Sequence, residues 1–378
     1  MIDVFISMMA ISIAIFTLLL LTFQAPSPSK SSLMLVLLCL LFLSFGPIVF
    51  AFIPTLKQLY ISALPLLFFT LLPALWFYHE ALIAEGHWFW QWSMWKHFTP
   101  LPAALLLGIA IFLLSSTTFN EMFFSDYVGD ELWVSILSIA FFVAVMGWCL
   151  LSFIYVVKLL LRTAHYKQRL KEVYSNEQGK SLNWLSGTLL LIIFTWFYAL
   201  TALVFGDTLN NIGLSETGVL LLLMGIVWII SANGLIQRPG FEESSLPEQA
   251  SQPQHKKTYE RSALTDIDLL NIAEKLTVAI NSDNAHLEHD LTLAKLSALI
   301  GEQPQYVSQT LSQHLNTTFF DFINFARIDD AKLMLIESNK SVLNISLETG
   351  FNSRSSFYKA FKQFTGLTPS QYRKTRNS

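Results

Sequence analysis

The apolar positions of this chain form long unbroken runs up to Ile236 and a helical three-and-four repeat after about Asp266. A helix needs about 20 mostly apolar residues to cross a hydrocarbon layer about 30 Å thick, because each residue rises about 1.5 Å. Seven stretches meet that length: Val4 to Phe23, Leu33 to Ile53, Leu59 to Tyr78, Leu101 to Phe119, Leu132 to Leu161, Trp184 to Phe205 and Gly218 to Ile236. The fifth exceeds what a span requires and is expected to tilt or to continue into the cytosol. Pro47, Pro65 and Pro73 fall inside spans, where neighbouring helices or hydroxyls satisfy the carbonyls that proline frees. The first run has neither the basic start nor the small-residue cleavage site of a removable signal, so it is expected to stay attached.

Composition agrees: 53% of the 378 residues are apolar and 13% charged, too few charges for a purely soluble protein. The basic residues set an orientation. With the N-terminus outside, the inner loops hold Lys30, Lys96, Arg162, Lys167, Arg169, Lys171 and Lys180, and the outer ones only Lys57. An odd number of spans then leaves everything after Ile236 in the cytosol. Cys39 and Cys149 both lie in apolar runs, match no zinc spacing and suggest neither a disulfide framework nor a structural metal.

Between His79 and Pro100 the chain crowds Trp88, Trp90, Trp92 and Trp95 between His87 and His97. Indole rings favour the headgroup region, so this loop is expected to lie along the inner membrane face. A metal or catalytic site on His79-Glu80 fails the zincin test, because Ile83 stands where a second histidine is needed. No span carries a paired-carboxylate or serine-histidine arrangement, and no catalytic residue, metal ligand or cofactor motif is assigned.

From Arg238 to Lys257 the residues are mostly polar, with Pro239, Pro247 and Pro253. That composition reads as a tether with a typical reach of about 25 Å. The expected organisation is therefore residues 1–237 as a seven-span bundle, 238–260 as linker and 261–378 as an all-helical C-terminal domain.

The C-terminal domain contains two helix-turn-helix patterns, at about 292–315 and 342–364. In the first, Thr292 caps a helix, Gly301 permits a left-handed turn, and Pro304 opens a second helix predicted to bury Val307, Leu311 and Leu315. Gln305, Ser308, Gln309 and Ser312 then face outward. A joining helix, about Thr318 to Glu337, carries Phe319, Phe322, Ile323 and Ala326 on one face. In the second unit Gly350-Phe351 makes the turn, and Ser353 caps a helix burying Phe357, Phe361 and Phe364. Its exposed side presents Arg354, Ser355, Tyr358, Lys359 and Lys362.

Charge separates the two units. From Lys340 onward there are seven basic residues against the single acid Glu348, whereas Lys256 to Asn339 holds seven basic and twelve acidic residues. Phosphate contacts need the former kind of surface. The second unit should dominate non-specific affinity, while the first, without Lys or Arg from Pro304 to Leu315, must rely on Gln and Ser contacts or contribute little.

These residues carry a resemblance. Gly301, Tyr306-Val307-Ser308, Phe319 to Ile323, Asn324, Arg327, Ala331, Ile345, Gly350-Phe351, Phe357, Phe361, Gly366 and Thr368-Pro369 make Leu293 to Tyr372 similar to the DNA-binding domain of the AraC/XylS family of bacterial transcription regulators. Asn316 stands where that family often has glycine, and asparagine also tolerates the left-handed turn. Tyr78 to Leu82, His97-Phe98 before Pro100, Tyr259 and Ser262 to Leu264 resemble the subset whose effector module is a multi-helix membrane domain. The resemblance implies that both reading helices enter successive major-groove segments on one face of DNA, about 34 Å apart.

Base contacts would then fall to Gln305, Ser308 and Gln309 in the first unit and to Arg354, Ser355 and Lys359 in the second, with Lys362 completing the DNA-facing set. Arg354 is the expected guanine reader; the alternative for each residue is a contact to phosphate or water alone. Asn324 and Arg327 are expected to be structural. The implied partners are double-stranded promoter DNA and the lipid bilayer, with RNA polymerase, a second copy of the chain and an unidentified signal ligand or membrane partner as further candidates. The implied location is a bacterial inner membrane crossed several times, with the C-terminal domain cytoplasmic. A reading from another class makes the bundle a receptor or carrier and the C-terminal domain a protein-interaction module.

Overall fold

The computed structural model describes residues 1–84, 88, 90–125, 131–177, 179–209, 216–237, 240–241 and 264–377. Most of the 238–260 stretch, and His87, lie outside the described residues. The chain divides into two compact units that are not contiguous in sequence. One is Met1–Ile83, Trp88–Thr163 and Leu182–Pro239; the other is Ala84–His87, Ala164–Ser181 and Gly240–Ser378.

The first unit is built from α1 (Ile2–Thr22), α2 (Pro28–Ser44), α3 (Gly46–Phe52), α4 (Lys57–Ile83), α5 (Leu101–Phe112), α6 (Ser116–Phe124), most of α7 (Leu132–Val173), α8 (Asn183–Leu209) and α9 (Glu216–Gly234). α1 packs on α2 and α9, α2 on α4, α4 on α5, and α8 on α9. Seven helical segments in the described residues are long and apolar enough to cross a membrane: Ile2–Thr22, Pro28–Phe52, Pro54–Ile83, Trp92–Phe112, Leu132–Val173, Asn183–Ala202 and Thr217–Gly234. From Leu132 to Ile154 the exposed residues of α7 are all apolar, with Ile136, Ile139, Phe142 and Leu150 more than half exposed.

Two segments differ from the expected spans. Leu33 to Ile53 is interrupted at Phe45, ahead of Gly46-Pro47, where α2 gives way to α3. The break leaves carbonyls without helical partners, and the Tyr60 hydroxyl donates to the Leu43 carbonyl at 3.0 Å. Leu101 to Phe119 is broken as well, because Ser115 accepts from the Thr118 amide and starts α6. Serine there favours a cap over a helix interior. The Gln58 amide covers the exposed end of α5, donating to the carbonyls of Phe112 at 3.0 Å and Leu114 at 2.8 Å. The length lost at that end is recovered before α5 by a short 3-10 helix, Trp92–Phe98.

Polar side chains tie α4 to α7. Trp148 donates to the Phe68 carbonyl at 2.9 Å, and fully buried His79 places Nε2 2.8 Å from the Thr163 hydroxyl. Glu80 pairs with Arg162, whose guanidinium lies over the Trp76 ring. His79 and Glu80 are thus occupied in packing. In the tryptophan-rich segment Trp90, Trp95 and Phe98 pack against one another edge-on or tilted, and Trp92 is 87% exposed.

The second unit holds α10 (Asp266–Asn281), α11 (Leu293–Leu299), α12 (Pro304–Gln309), α13 (Phe319–Glu337), α14 (Val342–Glu348), α15 (Arg354–Thr365) and α16 (Pro369–Asn377). α10 starts with a capping box in which Thr265 and Asp268 satisfy each other's amides. Two small cores follow. One joins Leu276, Leu296, Val307, Leu311, Phe319 and Ile323; the other joins Ile328, Leu335, Ile345, Phe351, Phe357 and Phe361. α13 lends its first half to one core and its second half to the other.

Candidate nucleic-acid interface

The second helix-turn-helix unit is arranged around phenylalanines. Ser341 caps α14 by accepting from the Asn344 amide, and the following turn passes through Gly350 at φ +84°. A β-carbon on Gly350 would stand 2.8 Å from the His286 carbonyl oxygen and 2.9 Å from that of Leu287, so dihedral and space both require glycine. Ser353 then caps α15 through the Ser356 amide. Phe357 and Phe361 are fully buried, and Phe351 meets Phe357 edge-on at 5.2 Å.

That buried stripe fixes what faces out. Arg354, Ser355, Lys359 and Lys362 are all exposed, and Tyr358 is half-buried beside them. Arg354 Nη2 donates to the Tyr358 hydroxyl at 3.1 Å, and its guanidinium lies 5.0 Å from the ring centroid. Hydrogen bonds from Ser370 and Arg354 hold the Tyr358 phenol below its usual range. Tyr358 therefore steadies the Arg354 guanidinium on this face, a role missed by sequence reasoning although its i+4 spacing from Arg354 is the signal for it.

The first unit follows the same plan with less charge. Thr292 caps α11 through the Lys295 amide, and Gly301 turns at φ +70° in open space. α12 begins with Pro304 at its first turn and buries Val307. Gln305 is exposed, and Ser308 and Gln309 are half-buried. Gln309 also donates to the Gln313 side chain at 3.0 Å.

Leu315 corrects the expected register, since it is 36% exposed rather than buried. Residues Thr310–His314 form a wider π-type turn, with the Leu315 amide donating back to the Thr310 carbonyl at 3.0 Å. The extra residue in that turn rotates Leu315 off the buried face. Asn316 then takes φ +51°, the left-handed turn its type tolerates.

Asn324 and Arg327 sit on α13, both 1% exposed. Arg327 donates through Nε to the His286 carbonyl and through Nη2 to the Glu288 carbonyl, each at 2.7 Å. Its guanidinium also lies 5.5 Å from the Phe351 ring of the second unit. Burial pushes its pKa down to about 10, against the opposing influence of Asp290 and Glu288, so it stays cationic at neutral pH. This side chain binds the segment before α11 to the turn before α15.

The comparisons with known proteins converge on this region. A family described as a helix-turn-helix domain matches residues 296–375. An uncharacterized HTH-type transcriptional regulator of Staphylococcus aureus (strain COL) is 38% identical over 91 residues, 24% of this chain and 12% of that protein. The melibiose operon regulatory protein of Escherichia coli (strain K12) is 31% identical over 97 residues, 26% of this chain and 30% of its own length. The chain thus spans under a third of either relative. Among solved structures, the C-terminal domain of AraT, a response regulator from Geobacillus stearothermophilus, is 25% identical over 30% of this chain and 89% of that one, with a TM-score of 0.26. The C-terminal part of this chain, residues 296–375, is a helix-turn-helix domain of AraC type.

Proposed function

We propose that the chain is a membrane-anchored, sequence-specific DNA-binding transcriptional regulator, whose two helix-turn-helix units read promoter DNA under control of a signal perceived by the apolar helices. The observation that carries this reading is the face of α15. Arg354, Ser355, Lys359 and Lys362 project together from a helix whose other side is sealed by phenylalanines. Arg354 occupies the first position of α15, where the helix dipole disfavours a cation by about 0.3–1 kcal/mol. Tyr358 orients the guanidinium but leaves it exposed, and recognition of guanine or phosphate is the role we assign to it.

Gln305, Ser308 and Gln309 supply uncharged contacts in a neighbouring groove segment. The apolar outward face of α7 supports lipid as its solvent, since exposed aliphatic surface costs about 25 cal/mol per Å² in water. Residues 1–237 would cross a bacterial inner membrane seven times with the N-terminus outside, and the exposed Trp90, Trp92 and Trp95 would rest at the inner interface. RNA polymerase, a second copy and the signal ligand are further proposed partners. The protein-interaction alternative draws only on the uncharged first unit, and the basic second unit weighs against it.

Chromatin capture with the tagged full chain tests the reading. Enrichment at discrete promoters, lost in the Arg354→Ala/Lys359→Ala double variant, is expected; identical occupancy by both proteins would overturn it.

A further inference from the structure

The end of α7 belongs to the same compact unit as the helix-turn-helix domain, which includes Ala164–Ser181. Leu170 is fully buried there, and Tyr174 and Ser175 are 5% and 2% exposed. Tyr174 forms an antiparallel bridge with Thr292, the cap of α11. The Ser175 amide and hydroxyl both donate to the Leu291 carbonyl, at 3.3 and 2.7 Å. From the other side, Asn324 donates to the Ser175 carbonyl at 3.1 Å and Arg327 Nη2 to the Ser175 hydroxyl at 3.3 Å. The dipeptide thus closes on the start of the first unit and on the joining helix.

Phe241 reinforces the same place, its ring 5.8 Å from Tyr166 and 6.1 Å from Tyr174.

Resting on the function proposed above, we infer that Tyr174-Ser175 is a latch that fastens the DNA-binding domain to the end of α7. Buried polar groups lose much more when left unpaired than they gain when paired, so a set of bonds shared by Ser175, Arg327 and Asn324 is made or broken together. α7 continues as helix from the compact unit of apolar helices to Val173, so a signal that shifts α7 travels along one helix to within two residues of Ser175. When the latch opens, the covalent connection that remains runs through the polar residues between Phe241 and Leu264.

The latch does not act by occlusion. Gln305, Arg354, Ser355, Lys359 and Lys362 are all exposed while it is made. It acts through Arg327, which holds both the segment before α11 and Phe351 and so sets the relation of the two reading helices. The closed latch freezes that relation, and opening it lets the two units adjust to successive grooves. The closed state is therefore the weak DNA binder.

A reversible cross-link tests this in the full chain held in nanodiscs, with Cys39→Ala and Cys149→Ala to remove its own thiols. Facing residues of an antiparallel bridge have α-carbons about 4.5–5.5 Å apart, within disulfide range, so Tyr174→Cys with Thr292→Cys should cross-link under diamide. The cross-linked domain should stay with the disc after cleavage at a protease site inserted between Gln252 and Pro253. It should bind a mixed-sequence DNA duplex about tenfold more weakly than the same sample after reduction, an ordinary size for coupling between sites. Because the cysteines themselves disturb packing, Ser175→Ala in the otherwise native chain is the second arm. After linker cleavage its domain should leave the disc at least about tenfold faster. Absence of the disulfide, equal DNA affinity before and after reduction, or unchanged release from Ser175→Ala would each overturn the latch. A disulfide that forms in a protein showing no DNA binding in either state would instead remove the DNA-reading proposal, and the latch's role with it.

Discussion

Gly350 and His286 approach so closely that a β-carbon on the glycine would stand 2.8 Å from the histidine's carbonyl oxygen, in a turn already at φ +84°. Gly301 makes the equivalent turn in the first unit at φ +70°, with no atom within 4 Å of the same construction. Gly301→Ala should therefore cost only the left-handed strain, about 1–2 kcal/mol. Gly350→Ala should add an overpacking cost of about 1–3 kcal/mol against backbone that cannot step aside. Denaturant unfolding of the C-terminal unit, followed by proteolytic susceptibility in the full chain, should rank Gly350→Ala well below Gly301→Ala. Equal losses would show that the turn is looser than drawn.

The exposed cations of α15 should separate by the kind of contact each makes. Arg354→Ala is expected to cost about 1–3 kcal/mol of DNA affinity and to relax discrimination at one base pair. Lys359→Ala or Lys362→Ala, if the side chain meets phosphate, should weaken binding to all sequences and lower the salt slope by about one. Salt titration of each variant in nanodiscs checks both. An unchanged slope for every variant would remove α15 from the interface.

The first unit should behave differently. Gln305 is exposed and uncharged, and Gln309 is engaged with Gln313 at 3.0 Å. Gln305→Ala and Gln309→Ala should change selectivity among target sequences, leaving the salt slope unaltered, since no condensed counterion is released by an amide. Binding to randomised duplexes, read by sequencing the retained pool, measures this. A changed slope would contradict it.

Much of this was legible in the chain itself. Gly301, Gly350 and the phenylalanine stripe of α15 each state a local physical requirement, and the two helix-turn-helix units appear where those requirements place them. The fourth apolar run was misread because hydropathy reports length but not capping; Ser115 ends α5 early, and Gln58 from α4 makes that tolerable. Leu315 was misread because a straight 3.6-residue repeat does not foresee a π-type turn. Ser175 carried no local signal at all. Its partners Leu291, Asn324 and Arg327 are more than a hundred residues away, and only the fold brings them together.

Orientation is open to a direct check. With the basic loop residues Arg162, Lys167, Arg169, Lys171 and Lys180 held inside, a reporter fused at Ser378 should be active when it requires the cytoplasm and silent when it requires the exterior. The opposite pattern would put the reading helices on the wrong side of the membrane from DNA.

The most direct measurement joins the two halves of the proposal in one tube. Full chain reconstituted in liposomes is floated through a density gradient with labelled duplex DNA. Protein and DNA should rise together with the lipid, and Arg354→Ala/Lys359→Ala protein should rise without DNA. Protein that stays at the bottom, or that floats and leaves the DNA behind, would contradict a membrane-held reader of DNA.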